Sequence, residues 1–260
     1  MSAGDVAGSM NSSPRDWDAE TYDAVSDPQF SWGVEVLQRL ELSGDEVALD
    51  AGCGSGRVTA ELAQRLPDGR LIAVDGSEAM IAKAKERLGD DASYLVADLS
   101  ELEVDQPVDL IFSTATFHWI LDHDRLFKRL RAALAPGGRL VAQCGGQGNV
   151  AEHAKAIATV AALPRFASHM NRMTGMWNFA GPEETEQRLL AAGFSSARCW
   201  LEPKPVSPAE PLEFTSTVTL GPLLAQLPEE LRRPFAEAVL DESPKPLTLD
   251  YVRLNIEARA

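Results

Sequence analysis

The feature that most constrains the fold is a glycine-rich loop placed directly after a short apolar run. Residues 46–50 read Glu-Val-Ala-Leu-Asp, and residues 51–56 then read Ala-Gly-Cys-Gly-Ser-Gly. A short apolar run bounded by glycines predicts a buried β-strand, and Val58, Leu62 and Leu66 behind the loop share one face of a helix. Because a strand that turns through glycines into a helix begins a βαβ unit, we expect a parallel sheet.

The same alternation of apolar runs and helical patterns continues through the first half of the chain. Further strands are predicted over residues 71–75, 93–97, 108–112 and 139–143. Between them, Ser77 is placed to cap a helix, and a helix over 124–135 is ended by Pro136-Gly137-Gly138. Continuous apolar strands separated by helices indicate a parallel sheet covered on both faces, and right-handed crossovers make it doubly wound.

The pattern changes after Gly145, where helical segments dominate and two more strands are expected. The predicted elements there are a helix over 149–163, an irregular segment over 164–181 with several methionines, a helix from Pro182 to Gly193, a strand over 195–201, mostly helical structure over 208–240, and a strand over 247–258. We therefore predict an α/β fold with a mostly parallel seven-stranded sheet. It forms a single domain over 15–260, with cover insertions at about 145–181 and 203–246 and a disordered tail over 1–14.

Acidic residues stand at the ends of the predicted strands, where doubly wound sheets bind ligands. The loop is G-x-G-x-G, whereas dinucleotide-binding loops place their third glycine one residue later. Asp50 precedes this loop, where a carboxylate repels a pyrophosphate and can accept hydrogen bonds from an ammonium group. Asp75 is expected to bind ribose hydroxyls and Asp98 an adenine amino group, while Met80 is placed to pack on an adenine face.

Five motifs occur in order along the chain: D-A-G-C-G-S-G, V-D-G-S-E-A-M, V-A-D-L, F-S-T-A-T-F-H-W and L-A-P-G-G-R-L-V. From about Trp17 to Gln143 the chain thereby resembles the class I S-adenosylmethionine (SAM)-dependent methyltransferases. The resemblance implies an enzyme that uses SAM, releases S-adenosylhomocysteine and needs no metal. It implies that the backbone of the loop glycines contacts the methionine part, Asp75 the ribose, and Asp98 with Leu99 the adenine. The full set of expected cofactor contacts is Asp50, Gly52, Gly54, Gly56, Asp75, Gly76, Met80, Asp98, Leu99 and Thr114.

The residues expected to meet the methyl acceptor follow the fourth strand. The pair His118-Trp119 is similar to that of small-molecule carboxylate methyltransferases of the trans-aconitate and juvenile hormone acid types, as is the segment 27–32. This resemblance makes Gln29 a candidate contact for a substrate carboxylate. The expected acceptor-binding residues are Gln29, Trp32, His118, Trp119 and Trp177.

His118 is also the candidate catalytic residue, and its role depends on the acceptor. A carboxylate is already ionised at neutral pH and needs no base, whereas a hydroxyl, amine or carbon acid must lose a proton. His118 is therefore either a general base or a hydrogen-bonded wall of the pocket. A non-catalytic SAM-binding protein and a nicotinamide enzyme are further alternatives, the latter disfavoured by the glycine spacing. His123 and His153 are expected at the surface. Arg253 is either a partner for a substrate carboxylate or a surface arginine, and the surface position is favoured.

The net charge and the cysteines limit which partners and which cellular compartment are expected. With 24 Lys and Arg against 39 Asp and Glu, the formal net charge is −15, which repels nucleic-acid phosphates. Three scattered cysteines predict neither disulfides nor a zinc site and favour a reducing compartment. No signal peptide or membrane-spanning run is recognisable, so we expect a cytoplasmic monomer or homodimer whose partner is a small-molecule acceptor, not nucleic acid or a membrane.

Overall fold

The computed structural model describes residues 27–170 and 177–260; the tail predicted over 1–14, together with Met173 and Met176, lies outside them. The helices are α1 (Asp27–Gln38), α2 (Arg57–Ala63), α3 (Glu78–Leu88), α4 (His123–Ala133), α5 (Ala151–Ala161), α6 (Pro164–Ala167), α7 (Pro182–Ala191), α8 (Pro211–Phe214), α9 (Gly221–Leu224) and α10 (Glu229–Glu242). The strands are β1 (Val47–Ala51), β2 (Arg70–Asp75), β3 (Ser93–Val96), β4 (Val108–Thr114), β5 (Leu134–Gly145), β6 (Ser196–Pro203) and β7 (Val252–Arg259). Short 3₁₀ turns cover Gly89–Asp91, Leu99–Glu101 and Phe117–Trp119, and Thr215–Thr219 forms a π-helical turn.

The seven strands form one sheet in the order β3-β2-β1-β4-β5-β7-β6. Strands β1 to β5 are parallel, and β7 is inserted antiparallel between β5 and β6. The predicted mostly parallel, doubly wound sheet is thus confirmed. The strand order reverses between β1 and β4, where sheets of this kind open a crevice for a ligand at their carboxyl edge.

Apolar side chains pack on both faces of the sheet, as parallel strands require. One core lies on the side of α4 and α7 and includes Phe127 and Leu189, while a second, with Leu37 and Leu62, lies under α1 and α2. A separate apolar cluster joins α5, α6, α9 and α10 around Phe235. This third cluster joins helices from both segments, 145–181 and 203–246, for which cover insertions are predicted, and their role as a cover stays a prediction.

The boundaries of several elements differ from the sequence prediction. Helix α4 ends at Ala133, and β5 already begins at Leu134. Val108 pairs with Leu134 and Leu110 with Arg139, so an irregularity in the ladder absorbs the Pro-Gly-Gly turn. The last strand begins at Val252 and not at 247, because the chain before it forms only one isolated bridge to the segment after β6.

Strand β7 presents two chemically different faces. Leu254, Ile256 and Ala258 point into the main apolar core, while Arg253 and Asn255, which are also buried, alternate with them. The Asn255 side-chain oxygen accepts hydrogen bonds from Gln143 (2.9 Å) and Arg39 (2.6 Å). The second face is therefore polar although it is enclosed.

Among the helices of residues 27–170 and 177–260, none has the length and the apolar composition that a membrane span requires.

Candidate active site

The three loop glycines all have positive φ but face different surroundings. A Cβ at Gly52 (φ 86°) would lie 2.2 Å from the Thr116 hydroxyl, whereas one at Gly56 (φ 81°) would lie 3.0 Å from a Leu88 methyl. At Gly54 (φ 53°) nothing lies within 4 Å. Gly52 and Gly56 thus allow protein segments to approach the loop, while Gly54 presents bare backbone to open space, where a ligand fits.

Asp75, at the end of β2, is tied to this loop through both carboxylate oxygens. One oxygen accepts the Gly54 N–H and the other the Ser77 N–H, each at 2.9 Å, around the turn at Gly76. Each oxygen keeps a second lone pair for further donors, such as ribose hydroxyls. Ser77 caps α3 by accepting the Met80 N–H, and the Met80 side chain is buried beside the turn.

Asp50 is a buried carboxyl group at the end of β1. It accepts a hydrogen bond of 2.7 Å from the Thr59 hydroxyl. Burial raises the pKa of Asp50 to about 7, which the Thr59 hydrogen bond opposes and the charge of Asp75 reinforces. Burial makes the charged form of Asp50 unfavourable, and a positive charge placed beside the carboxylate offsets this effect. The site therefore suits an ammonium group.

Asp98 and Thr114 complete the set of predicted cofactor residues. One Asp98 oxygen accepts both the N–H and the hydroxyl of Ser100, which leaves its other oxygen for a ligand amino group. Leu99, the next residue, is buried. Thr114 ends β4, and its carbonyl accepts the Thr116 hydroxyl at 2.9 Å. Together with the loop, these groups fit the ammonium, ribose and adenine parts of SAM, and their individual contacts stay predictions.

A cavity lies beyond the carboxyl ends of β4 and β5. Four of the predicted acceptor residues line it: Gln29, His118, Trp119 and Trp177. The fifth, Trp32, packs behind the wall, with its ring 5.2 Å from that of Tyr251 and 4.9 Å from the Arg253 guanidinium. The other lining residues are Ala115, Asn149, Val150, His153, Ala154, Ile157, Phe179, Val218, Thr219, Tyr251 and Arg253.

The protonation of His118 follows from its hydrogen bond. The backbone N–H of Gly145 donates to Nδ1 at 3.3 Å, so this nitrogen holds a lone pair and the neutral ring carries its proton on Nε2. Burial, then the charge of Arg253, lowers the pKa of His118 well below its usual range. The ring therefore offers an N–H donor, which favours the pocket-wall interpretation over the general base.

Arg253 was expected at the surface, and this expectation is wrong. The residue is 3% exposed, because β7 is enclosed between β5 and β6. It lies opposite Gly145 in the ladder, which brings its charge next to His118. The sequence offered Arg253 as a carboxylate partner only as the less favoured alternative, because the insertion of β7 into the sheet, which places it in the cavity wall, is not visible in the sequence.

Aromatic rings form a continuous part of the cavity wall. The Trp177 and Phe179 rings stack at 5.7 Å with planes 10° apart, and Phe179 in turn stacks on His118 at 5.8 Å. Trp119 closes the group at 6.0 Å from Trp177. We call these four residues the aromatic strip. Such rings exclude water and offer faces to a flat ligand.

Two residues with strained backbone also line the cavity. Ala115 (φ 56°) and Val150 (φ 48°) are the non-glycine residues with positive φ in the described chain. This conformation is costly for any residue with a Cβ and most of all for a β-branched one. Strain of this kind concentrates at functional sites, and nothing in the local sequence announces it.

His123 and His153 were also predicted at the surface. Each is only 2% exposed, so this prediction is wrong as well. They face inward from α4 and α5 and are held by the Phe117 carbonyl and the Thr219 hydroxyl, each at 3.0 Å. Burial lowers the pKa of His153 to about 4.

The three cysteines are free and buried. Within residues 27–170 and 177–260, no cluster of three or more His, Cys, Asp or Glu side chains could hold a metal ion.

Comparisons with known proteins agree with this geometry. Residues 48–138 match a family described as a methyltransferase domain. Trans-aconitate 2-methyltransferase of Variovorax paradoxus is 31% identical over 224 residues, which are 85% of this chain and 86% of that protein. The enzyme of the same name from Acidovorax ebreus is 38% identical over 128 residues, about half of either chain (49% of each).

Solved structures show the same fold. Phosphoethanolamine N-methyltransferase 2 of Haemonchus contortus, in complex with SAM, matches 93% of this chain and 56% of its own, with a TM-score of 0.58 and 20% identity. The family match and the relatives thus agree on the chemistry, and the solved structure shows the same fold. The chain belongs to the same family of SAM-dependent methyltransferases as these trans-aconitate 2-methyltransferases, and it is an enzyme whose cofactor is SAM.

Proposed function

We propose that this enzyme methylates a carboxylate oxygen of a small molecule. The observation that carries the proposal is the hydrogen bond from the Gly145 N–H to Nδ1 of His118. An acceptor that must lose a proton needs a base, and the residue predicted for that role presents a donor instead. A carboxylate needs no base, because it is ionised at neutral pH. The relatives, which are trans-aconitate 2-methyltransferases, support the same chemistry.

The reaction needs little covalent chemistry from the protein. When bound, SAM supplies a methyl group already activated on a positively charged sulfur. The acceptor oxygen gains the methyl carbon as the carbon–sulfur bond breaks, and the electron pair of that bond stays on sulfur. No proton moves, so the protein's contribution is to hold the oxygen in line with the methyl group and to keep water out.

Residues of the cavity wall are suited to these two tasks. The Arg253 guanidinium and the His118 Nε2–H are buried donors beside each other, and charge-assisted hydrogen bonds to a carboxylate are strong. Gln29 also lines the cavity, and its side-chain NH2 group can donate a hydrogen bond to a carboxylate. The aromatic strip excludes water from the reacting atoms.

The test compares acids with uncharged analogues of the same shape. The enzyme is incubated with labelled SAM and with trans-cinnamate, cinnamyl alcohol or cinnamamide, and products are identified by mass. We expect methyl ester from the acid alone. Methylation of the alcohol or the amide in preference to the acid would overturn the proposal and favour a proton-removing enzyme.

A substitution separates the two roles of His118. If His118 donates one hydrogen bond, His118→Ala lowers turnover about tenfold without changing its pH dependence. A general base would instead cost about 10²–10⁴-fold, with the pH dependence lost in the variant. The exposed His169 provides the matched control, since His169→Ala should leave turnover unchanged.

A further inference from the structure

We propose that Arg57 is a positioning residue for the acceptor site, because it holds the first turn of α1 in place beside the cavity. Arg57 begins α2, directly after Gly56 of the cofactor loop, whereas Gln29 in α1 lines the cavity. This inference rests on the proposed function and adds the residue that keeps this wall of the cavity in register with the cofactor. Arg57 acts through α1 and not by touching the acceptor.

The side chain of Arg57 contacts two residues in the first turn of α1. Its Nη2 donates a hydrogen bond of 2.8 Å to Oδ1 of Asp27, and its guanidinium carbon lies 4.6 Å from the centre of the Phe30 ring. Gln29 stands between these two residues in the same turn. Because a helical turn moves as a unit, contacts that fix Asp27 and Phe30 also fix the backbone from which Gln29 reaches the cavity.

The position of Arg57 is unfavourable for its own helix. A cation at the N-terminus of a helix opposes the helix dipole, and α2 has no acidic residue in its first turn. SAM is itself positively charged at its sulfur and ammonium groups, so the end of the cofactor loop does not favour a second cation. Asp27 offsets this charge, and its carboxylate is in turn favoured at the N-terminus of α1. The contact with α1, and not the stability of α2, explains an arginine at this position.

Further contacts hold the rest of α1 against α2. A Cβ at Gly33 would lie 2.7 Å from a Val58 methyl group, so the absence of a side chain lets the two helices approach closely in the middle of α1. Towards the other end of α1, the Arg65 side chain donates a hydrogen bond to the Leu37 carbonyl. Arg57 holds the end of α1 that lines the cavity. Its loss should therefore loosen the first turn, while the other contacts keep the helix docked.

Steady-state kinetics with trans-cinnamate and SAM test this role. Arg57→Gln should raise KM for trans-cinnamate by up to about tenfold, which is the combined effect of losing an exposed ion pair and a cation–π contact. The kcat and the Kd for SAM should change by less than about twofold, because the reacting groups and the loop are unaltered. Arg57→Lys keeps the positive charge and should restore part of the KM.

Arg65→Gln is the matched control, because Arg65 ties α1 to α2 at the end away from the cavity. It should lower the midpoint of thermal unfolding by a similar amount and leave KM for trans-cinnamate unchanged. Asp27→Asn and Phe30→Leu weaken the two contacts of Arg57 one at a time, and each should raise this KM about threefold. Neither should add to the effect of Arg57→Gln in a double variant, because each acts through the same contact.

Hydrogen exchange gives a second measurement that needs no acceptor. Amide exchange over residues 28–34 should be faster in Arg57→Gln and in Asp27→Asn than in the unmodified enzyme, and unchanged in Arg65→Gln. If the enzyme methylates none of trans-cinnamate, cinnamyl alcohol and cinnamamide, the proposed function fails, and hydrogen exchange alone decides the role of Arg57. If it methylates the alcohol in place of the acid, the same comparison of KM values is made with the alcohol.

Three kinetic results would overturn the positioning role. The first is a folded Arg57→Gln variant with an unaltered acceptor KM. The second is a rise in its Kd for SAM as large as the rise in acceptor KM, which would make Arg57 part of the cofactor site. The third is an equal rise in acceptor KM for Arg65→Gln, which would assign the effect to the docking of α1 as a whole. Unaltered exchange over residues 28–34 in Arg57→Gln would overturn it as well.

Discussion

The cofactor loop and the acceptor cavity lie at the same edge of the sheet but are built in different ways. The loop region depends on backbone: its glycines have positive φ, and Asp75 accepts the backbone N–H groups of Gly54, from the loop after the adjacent strand, and of Ser77. The cavity depends on side chains from distant segments, with Gln29 in α1 and Arg253 in β7. The first is specified locally, and the second exists only after the whole sheet has formed.

The largest effect is expected from a methyl group added in the loop. Gly52→Ala combines a positive φ with a contact of 2.2 Å to Thr116, and it should lower the free energy of unfolding by about 3 kcal/mol. Gly54→Ala meets nothing within 4 Å. It should cost only about 1 kcal/mol in stability, yet raise the Kd for SAM roughly tenfold.

Chemical denaturation and calorimetry measure these two quantities. Adding Thr116→Ala to Gly52→Ala should recover part of the stability, because it removes the group that the new methyl would strike. Equal stability losses in the two single variants would contradict the distinction between a packing glycine and a ligand-facing glycine.

A smaller effect is expected from pH, again on the cofactor side. The pKa of Asp50 is raised to about 7, and we predict that the ammonium group of SAM pairs with its charged form. SAM affinity should therefore fall as the pH falls below 7, by up to about tenfold per pH unit, and binding should release a proton. Calorimetry in buffers of different ionisation enthalpy counts that proton. Asp50→Asn should remove this dependence; a variant that keeps it would assign the proton to another group.

The smallest effect lies in the cavity wall. Ala115→Gly relieves a φ of 56° and should raise the free energy of unfolding by about 0.5 kcal/mol. Ala154→Gly, also in the cavity wall but inside α5, should lower it by about 1 kcal/mol because glycine disfavours helix. Denaturant titration gives both values. If both substitutions lower the free energy of unfolding, the positive φ of Ala115 does not destabilise the folded protein.

These differences explain how much of the molecule was predictable from its sequence. Strands β1 to β4 end within a few residues of the ends of their apolar runs, because these boundaries are local. Strands β1, β2 and β4 are largely buried, whereas β3 lies at the sheet edge and is partly exposed. The strand-end acids follow from the same pattern. Seven strands and the helical cover after Gly145 were likewise predictable from periodicity and breaker residues.

The cavity was only partly predictable. His118, Trp119 and Gln29 were found by resemblance of short segments, and the structure places them in the wall. The burial of Arg253 and His153 was missed, because it depends on which strand neighbours β7 and on the face that α5 turns inward. Such long-range pairing leaves no mark on the residues beside them in sequence.

The two faces of β7 have a consequence for how this enzyme family can diversify. A one-residue shift in the pairing of β7 would exchange its faces, placing the guanidinium of Arg253 in the main apolar core and Leu254 in the cavity. A single insertion or deletion within β7 would therefore disrupt the main core together with the cavity wall. Substitution at the alternating positions leaves the register intact, and Arg253 is a position of this strand that lines the cavity.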